Sequence, residues 1–303
     1  MRWWSVLGVL VALPAMVRAE RAADPPEVSF ADAKVLLSPT TTTTCTTIPC
    51  LIEQAYARDD KARTLALALF EDTGNVAGVG PKELMDGGFR GPIQLVPQLP
   101  LGKYRKHLAW TSEAMHSIDT FFATLFEDQK IAPSYRWRAL SLRYVRSVGK
   151  RTPSAYAFGW TMEYNVEGSL LTTAGGVLET IVHELFHLND FAHSEWSATT
   201  LQQDYDAIVA RCGTKASCLE PYAPNRTKVR ATGTYYAFQP NNGNGVHEYA
   251  AELAVRYFTE QSQMMHSGKL TRRAFKCGPA ENARAWQALV DEFFAGRDLV
   301  PAC

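Results

Sequence analysis

Apolar side chains recur at three- and four-residue spacing over much of this 303-residue chain, the period of helices that bury one face. Leu51, Ile52, Ala55, Leu65, Leu69 and Phe70 predict helix from about Leu51 to Phe70. Leu108, Met115, Ile118, Phe122 and Leu125 predict a second from Tyr104 to Phe126. The stretch Val177 to His193 is apolar on nearly every side, the signature of a buried helix. Further helices are predicted over Glu195 to Arg211, Val246 to Gln261 and Ala283 to Phe294.

Between the second and third helices the period shortens to two. Leu140, Leu142 and Tyr144 alternate with Ser141, Arg143 and Val145, which predicts a strand, and the aromatic-rich run Tyr156 to Tyr164 predicts another. Gly168 to Thr173 is a third candidate strand, ending just before the buried helix. Glycines and prolines from Gly74 to Pro97 are expected to break regular structure, and Pro221 to Asn244 to be mainly loop. The fold class expected is α+β: mostly helical, with a small mixed sheet packed against the helix Val177 to His193.

The N-terminus reads differently. Arg2 precedes an apolar run from Trp3 to Val17 that Pro14 interrupts, and Val17-Arg18-Ala19 offers small residues to a signal peptidase. Residues 1–19 are therefore expected to be a signal peptide, with a secreted, extracellular or periplasmic chain after cleavage. Residues 20–50, with Pro25-Pro26 and the run Thr40 to Thr44, are expected to form an extended lead-in or short propeptide. Residues 51–303 are expected to form one domain, a helical part over 51–130 and a catalytic core over 131–303.

Removing Arg2 and Arg18 takes the basic count from 31 to 29 against 31 acidic residues. That balance argues against nucleic acid or an anionic membrane as the main partner, and no apolar stretch predicts stable membrane insertion. Six cysteines in an exported chain read as three disulfides, with neighbour pairing the simplest scheme: Cys45 with Cys50, Cys212 with Cys218, Cys277 with Cys303.

The buried helix carries His183-Glu184-Leu185-Phe186-His187. Four-residue spacing puts both imidazoles on one helical face, where they suit one Zn²⁺, with Glu184 placed as base for a water. A catalytic zinc takes three protein ligands, and two residues compete to be the third. His193 gives His-Glu-x-x-His-x-x-Asp-x-x-His, the metzincin spacing with Asp190 in place of glycine. Glu248 lies with Glu252 on one face of the helix Val246 to Gln261, and a carboxylate from a second helix completes the His₂Glu set.

His-Glu-x-x-His-x-x-Asp (His183 to Asp190) followed by Glu-Tyr-Ala-Ala-Glu (Glu248 to Glu252) resembles the catalytic domain of anthrax lethal factor and related gluzincins. The resemblance spans Leu178 to Leu253. It implies a zincin-like fold, Glu248 as third zinc ligand, Glu252 close behind it, and an active-site tyrosine upstream. Tyr236 is the catalytic candidate for that last role, with Tyr235 and His247 as alternatives for the oxyanion; Asp190 or Glu252 would steady a ligand imidazole.

The function expected is a secreted zinc metalloendopeptidase acting on protein or peptide substrates, with His183, His187 and Glu248 on the metal and Glu184 as general base. Alternatives are a binding or toxin-like protein on a zincin scaffold with vestigial activity, a metzincin-type peptidase using His193, and a zinc hydrolase of non-peptide amides.

Overall fold

The computed structural model describes residues 27–38, 43–85, 91–128, 131–149, 154–229, 232–240 and 243–303. The expected signal peptide and part of the threonine run lie outside the described residues.

Three short helices come first: α1 (Phe30–Leu37), α2 (Ile48–Ala55) and α3 (Asp60–Thr73). Each begins where a side chain satisfies a free backbone N–H: Ser29 accepts from Asp32 N, Thr47 from Cys50 N and Asp59 from Ala62 N. Gly74, with φ of 69°, closes α3 in the left-handed conformation. Ala33, Leu36 and Leu37 of α1 are buried in the main core, so this part of the expected lead-in is packed structure. The long predicted helix Leu51 to Phe70 is α2 and α3, separated by a turn.

The six strands among the described residues are β1 (Val76–Val79), β2 (Glu83–Met85), β3 (Ile93–Pro97), β4 (Ser141–Val148), β5 (Ala155–Phe158) and β6 (Thr161–Asn165). They make one mixed sheet around β4. On one side, β4 pairs in parallel with β1 along its first half and antiparallel with β3 along its second. On the other side it runs parallel to β6, and β5 pairs antiparallel to β6 at the edge.

The sheet corrects three expectations. The glycine-rich stretch holds β1, β2 and β3, because strands of three to five residues fit between its turns. Gly78 is needed in β1 because a Cβ there would come 2.5 Å from Leu36 O. The run Tyr156 to Tyr164 is a hairpin, since Gly159 and Trp160 take φ of 49° and 59° and reverse the chain. Gly168 to Thr173 forms turns across the start of the next helix. Leu170 O sits where a Cβ on Gly176 would fall, 2.4 Å away.

After a single 3₁₀ turn at Gly102–Tyr104, α4 (Arg105–Leu125) packs against the sheet, where Thr111 and His107 meet Tyr144 and Tyr164. His107 is buried there, with Nδ1 2.9 Å from Tyr164 Oη. The buried helix of the sequence is α5 (Ala174–Ala192), capped by Thr173 accepting from Gly176 N. It packs among α4, β5, β6 and the long helix α9 (Gly245–Ser267). Val177, Ile181, Val182, Leu185, Phe186 and Leu188 are its buried apolar side chains. Between α5 and α9 lie α6 (Trp196–Thr200), α7 (Gln202–Cys212) and α8 (Ala216–Leu219). The chain closes with α10 (Ala280–Phe293) and a C-terminal tail.

That tail is anchored to α9. Asp298 accepts from Gln261 Nε2 at 2.8 Å and from Lys276 Nζ at 2.7 Å, and Leu299 N donates to Gln261 Oε1 at 2.8 Å. Cys277 is bonded to Cys303, and the other two disulfides are Cys45–Cys50 and Cys212–Cys218, the neighbour pairing the sequence suggests. No helix among the described residues is long and apolar enough to cross a membrane.

Candidate metal centre

Two antiparallel helices build the site because each carries polar residues at four-residue spacing on an otherwise buried surface. On α5 these are His183 and His187; on α9 they are Glu248 and Glu252. Where the helices pack, His183 Nε2 lies 3.1 Å from His187 Nε2 and 3.2 Å from Glu248 Oε2, with Glu248 Oε2 3.9 Å from His187 Nε2. Among the described residues these three form the one group of histidine, cysteine or carboxylate donors that could hold a metal ion.

The donors fit such an ion. Ligands about 2.0–2.1 Å from a tetrahedral metal lie about 3.3–3.4 Å from one another, close to the two separations made by His183 and shorter than the 3.9 Å between Glu248 and His187. Glu248 Oε2 is buried and in contact with His183, but not aligned for a hydrogen bond. Three carboxylates, Glu184, Glu248 and Glu252, stand around two imidazoles here, a charge balance that would favour a bound cation.

The charges order the two rings. Burial opposes a proton on His183, but its contacts with Glu248 and Glu252 outweigh that cost and hold its pKa well above the ordinary histidine range. His187 is driven down to about 3, by burial first and by the charge of His183 second. Burial would raise Glu248, yet His183, His187 and a hydrogen bond from Tyr236 together bring it below the usual carboxylate range. Glu184 is 7 % exposed, and burial, with a smaller contribution from the Glu248 charge and against the pull of His183, lifts its carboxyl to about 7.

The other candidate residues fall as follows. Tyr236, in the helical turn Tyr236–Phe238, stacks edge-on to His183 with ring centroids 5.9 Å apart, and its hydroxyl engages Glu248. Tyr235, the residue just before that turn, is buried with Lys228 over its ring. Glu252 Oε1 reaches His183 Nδ1 at 3.5 Å, so it is the carboxylate behind a candidate ligand ring. Asp190 takes different partners: it accepts from Ser197 N and Ser197 Oγ, and its Oδ2 is 3.1 Å from His247 Nδ1. His193 lies outside the group. It caps α5, and its Nδ1 meets Glu292 Oε1 of α10 at 2.6 Å.

Two participants escape the sequence reading. One is the contact between Asp190 and His247, two residues that the sequence names for separate roles and not as partners. The other is Glu179, one turn before His183 and electrostatically coupled to Glu252. Its four-residue spacing was a usable signal.

No protein-family model, curated protein or solved structure matches this chain.

Proposed function

We propose that the chain is an exported zinc metalloendopeptidase of the gluzincin type, with a zincin-like catalytic core, that hydrolyses peptide bonds in protein or peptide substrates. The observation carrying this reading is the convergence of His183 Nε2, His187 Nε2 and Glu248 Oε2 beside the buried carboxylate of Glu184. The two-imidazole, one-carboxylate donor set suits zinc, which when bound would polarise a peptide carbonyl and acidify a water.

The chain's own residues divide the remaining work. Glu184, next to His183 on α5, accepts the proton of the attacking water and returns it to the departing amine. Glu252 holds the Nδ1 side of His183 and so fixes which nitrogen faces the cluster. Tyr236 flanks His183 and Glu248 and is the nearest candidate donor to a developing oxyanion. At the sheet edge, β5 pairs among the described residues with β6 alone and packs against α5, leaving backbone groups for an extended peptide. The three disulfides support an extracellular setting.

The decisive experiment is Glu184→Gln. Zinc content should remain stoichiometric while casein hydrolysis falls by about 10²-fold or more. A variant that binds zinc and cleaves casein at the wild-type rate overturns the mechanism.

A further inference from the structure

The hairpin of β5 and β6 packs against α5, and contacts near its two ends fix how far along the helix it reaches. At one end, Leu170 N donates to Ser154 Oγ at 3.0 Å, and Leu170 O packs on Gly176. At the other, the guanidinium of Arg136 lies over Trp160, and the Asn189 side chain holds the Arg136 backbone through hydrogen bonds of 2.7 and 2.9 Å. The run from Ser154 to Trp160 covers about 20 Å as strand. The run from Gly176 to Asn189 covers about the same as helix. Strand and helix therefore lie side by side in one direction. Phe158, about two thirds of the way along the first run, comes level with the turn of α5 between His183 and His187.

Arg143, Glu163 and Tyr156 are register partners across β4, β6 and β5, so they share one face of the sheet with Phe158, and Ala155 and Ala157 take the other. Arg143 starts two strands in from the edge, about 9–10 Å away. Its guanidinium carbon nevertheless stands 5.2 Å from the centre of the Phe158 ring. It passes the nearest carboxylate to get there: Glu163 is close enough to feel its charge but takes no hydrogen bond from it. Arg143 forms no ion pair among the described residues. A cation is thus delivered to the rim of the sheet and left there without a counter-charge.

Beside that rim, every second residue of β5 turns its N–H and C=O away from β6. A peptide pairing there would set alternate side chains about 4.5–5.5 Å from Tyr156 and Phe158, Cβ to Cβ. The side chain opposite the exposed Phe158 then comes within reach of Arg143. Lysine or arginine in that place would be repelled. A carboxylate would accept two parallel N–H bonds from the guanidinium fork.

We infer that Arg143, propped on Phe158, selects extended peptides carrying an aspartate or glutamate at the position paired beside Phe158. The inference rests on the pairing of an extended peptide with β5 proposed above.

Fluorescein-labelled heptapeptides of alternating threonine and valine, with a central glutamate, glutamine or lysine, test it by anisotropy on zinc-saturated Glu184→Gln protein. The glutamate peptide should bind about tenfold more tightly than the glutamine peptide, the scale of one charge-assisted contact, and the lysine peptide most weakly. On the same background and with unchanged melting, Arg143→Gln should make glutamate and glutamine equal. Arg143→Glu should place lysine first, and Arg143→Lys should keep part of the glutamate preference. Equal binding of the glutamate and glutamine peptides, a preference unchanged in Arg143→Gln, or no binding of any peptide would overturn the inference. Casein hydrolysis by the wild-type chain separates it from the peptidase reading. Cleavage without a glutamate preference overturns this inference alone; a glutamate preference without cleavage overturns the peptidase reading and leaves Arg143 its role in binding.

Discussion

Glu252 Oε1 stands 3.5 Å from Nδ1 of His183, while Glu248 Oε2, one helical turn earlier, stands 3.2 Å from Nε2 of the same ring. A single imidazole is thus gripped at both nitrogens by two carboxylates of one helix. The outer contact orients the ring that the inner contact leaves facing the cluster.

Glu252→Ala should therefore weaken zinc binding by about 10–100-fold, the usual cost of removing an outer partner of a metal-binding histidine. Competition with a fluorescent chelator measures it. Wild-type zinc affinity in this variant would mean that the contact plays no part in orienting His183.

Glu248→Ala and His193→Ala separate the two candidate third donors. The first should lose both stoichiometric zinc and hydrolysis. The second should keep both and lose at most about 1 kcal/mol of stability, because the His193–Glu292 pair is partly exposed. Zinc content and urea midpoints of the two variants decide the matter, and the reverse pattern would replace Glu248 with His193.

How much of this was legible depends on sequence distance. The pattern on α5 and the pair on α9 follow from four-residue spacing, which a helix converts directly into proximity. The partner of His193 is Glu292, 99 residues away, and no local pattern announces it. In the sheet, the aromatic-rich run from Tyr156 to Tyr164 hides a reversal, because a tryptophan at positive φ is not a usual turn residue; Arg136 stacks on Trp160 at 4.1 Å. Strands β1 to β3 are too short for alternation to outweigh the glycines and prolines between them.

Glu163 supplies a pH prediction. It is 1 % exposed, its Oε2 lies where a Cβ on Gly80 would come within 2.9 Å, and burial followed by the Glu83 charge lifts its carboxyl to about 7. Its folded pKa exceeds its unfolded value, so the stabilising contribution is present at low pH and is lost as pH rises from about 4.5 through 7. Glu163→Gln should be more stable than wild type by about 3 kcal/mol at pH 8 and nearly equal to it at pH 4. Urea unfolding at the two pH values checks this; an advantage independent of pH would remove Glu163 as its source.

The Cys277–Cys303 bridge closes 26 residues of sequence separation around α10. Replacing both cysteines by serine should cost about 3 kcal/mol, on the scale of the chain entropy such a loop removes from the unfolded state. Thermal melts at matched zinc saturation measure it, and an unchanged midpoint would show that the tail hydrogen bonds hold the C-terminus unaided.

The same tail has a positional consequence for the cluster. Glu248 and Glu252 are equivalent carboxylates one turn apart, so sliding α9 lengthwise by one pitch, about 5.4 Å, would present the wrong one to the two histidines. Asp298 and Leu299 grip Gln261 farther along the same helix and oppose that slip. The final residues of the chain thus act as a stop on a ruler, setting which graduation of α9 is read at His183.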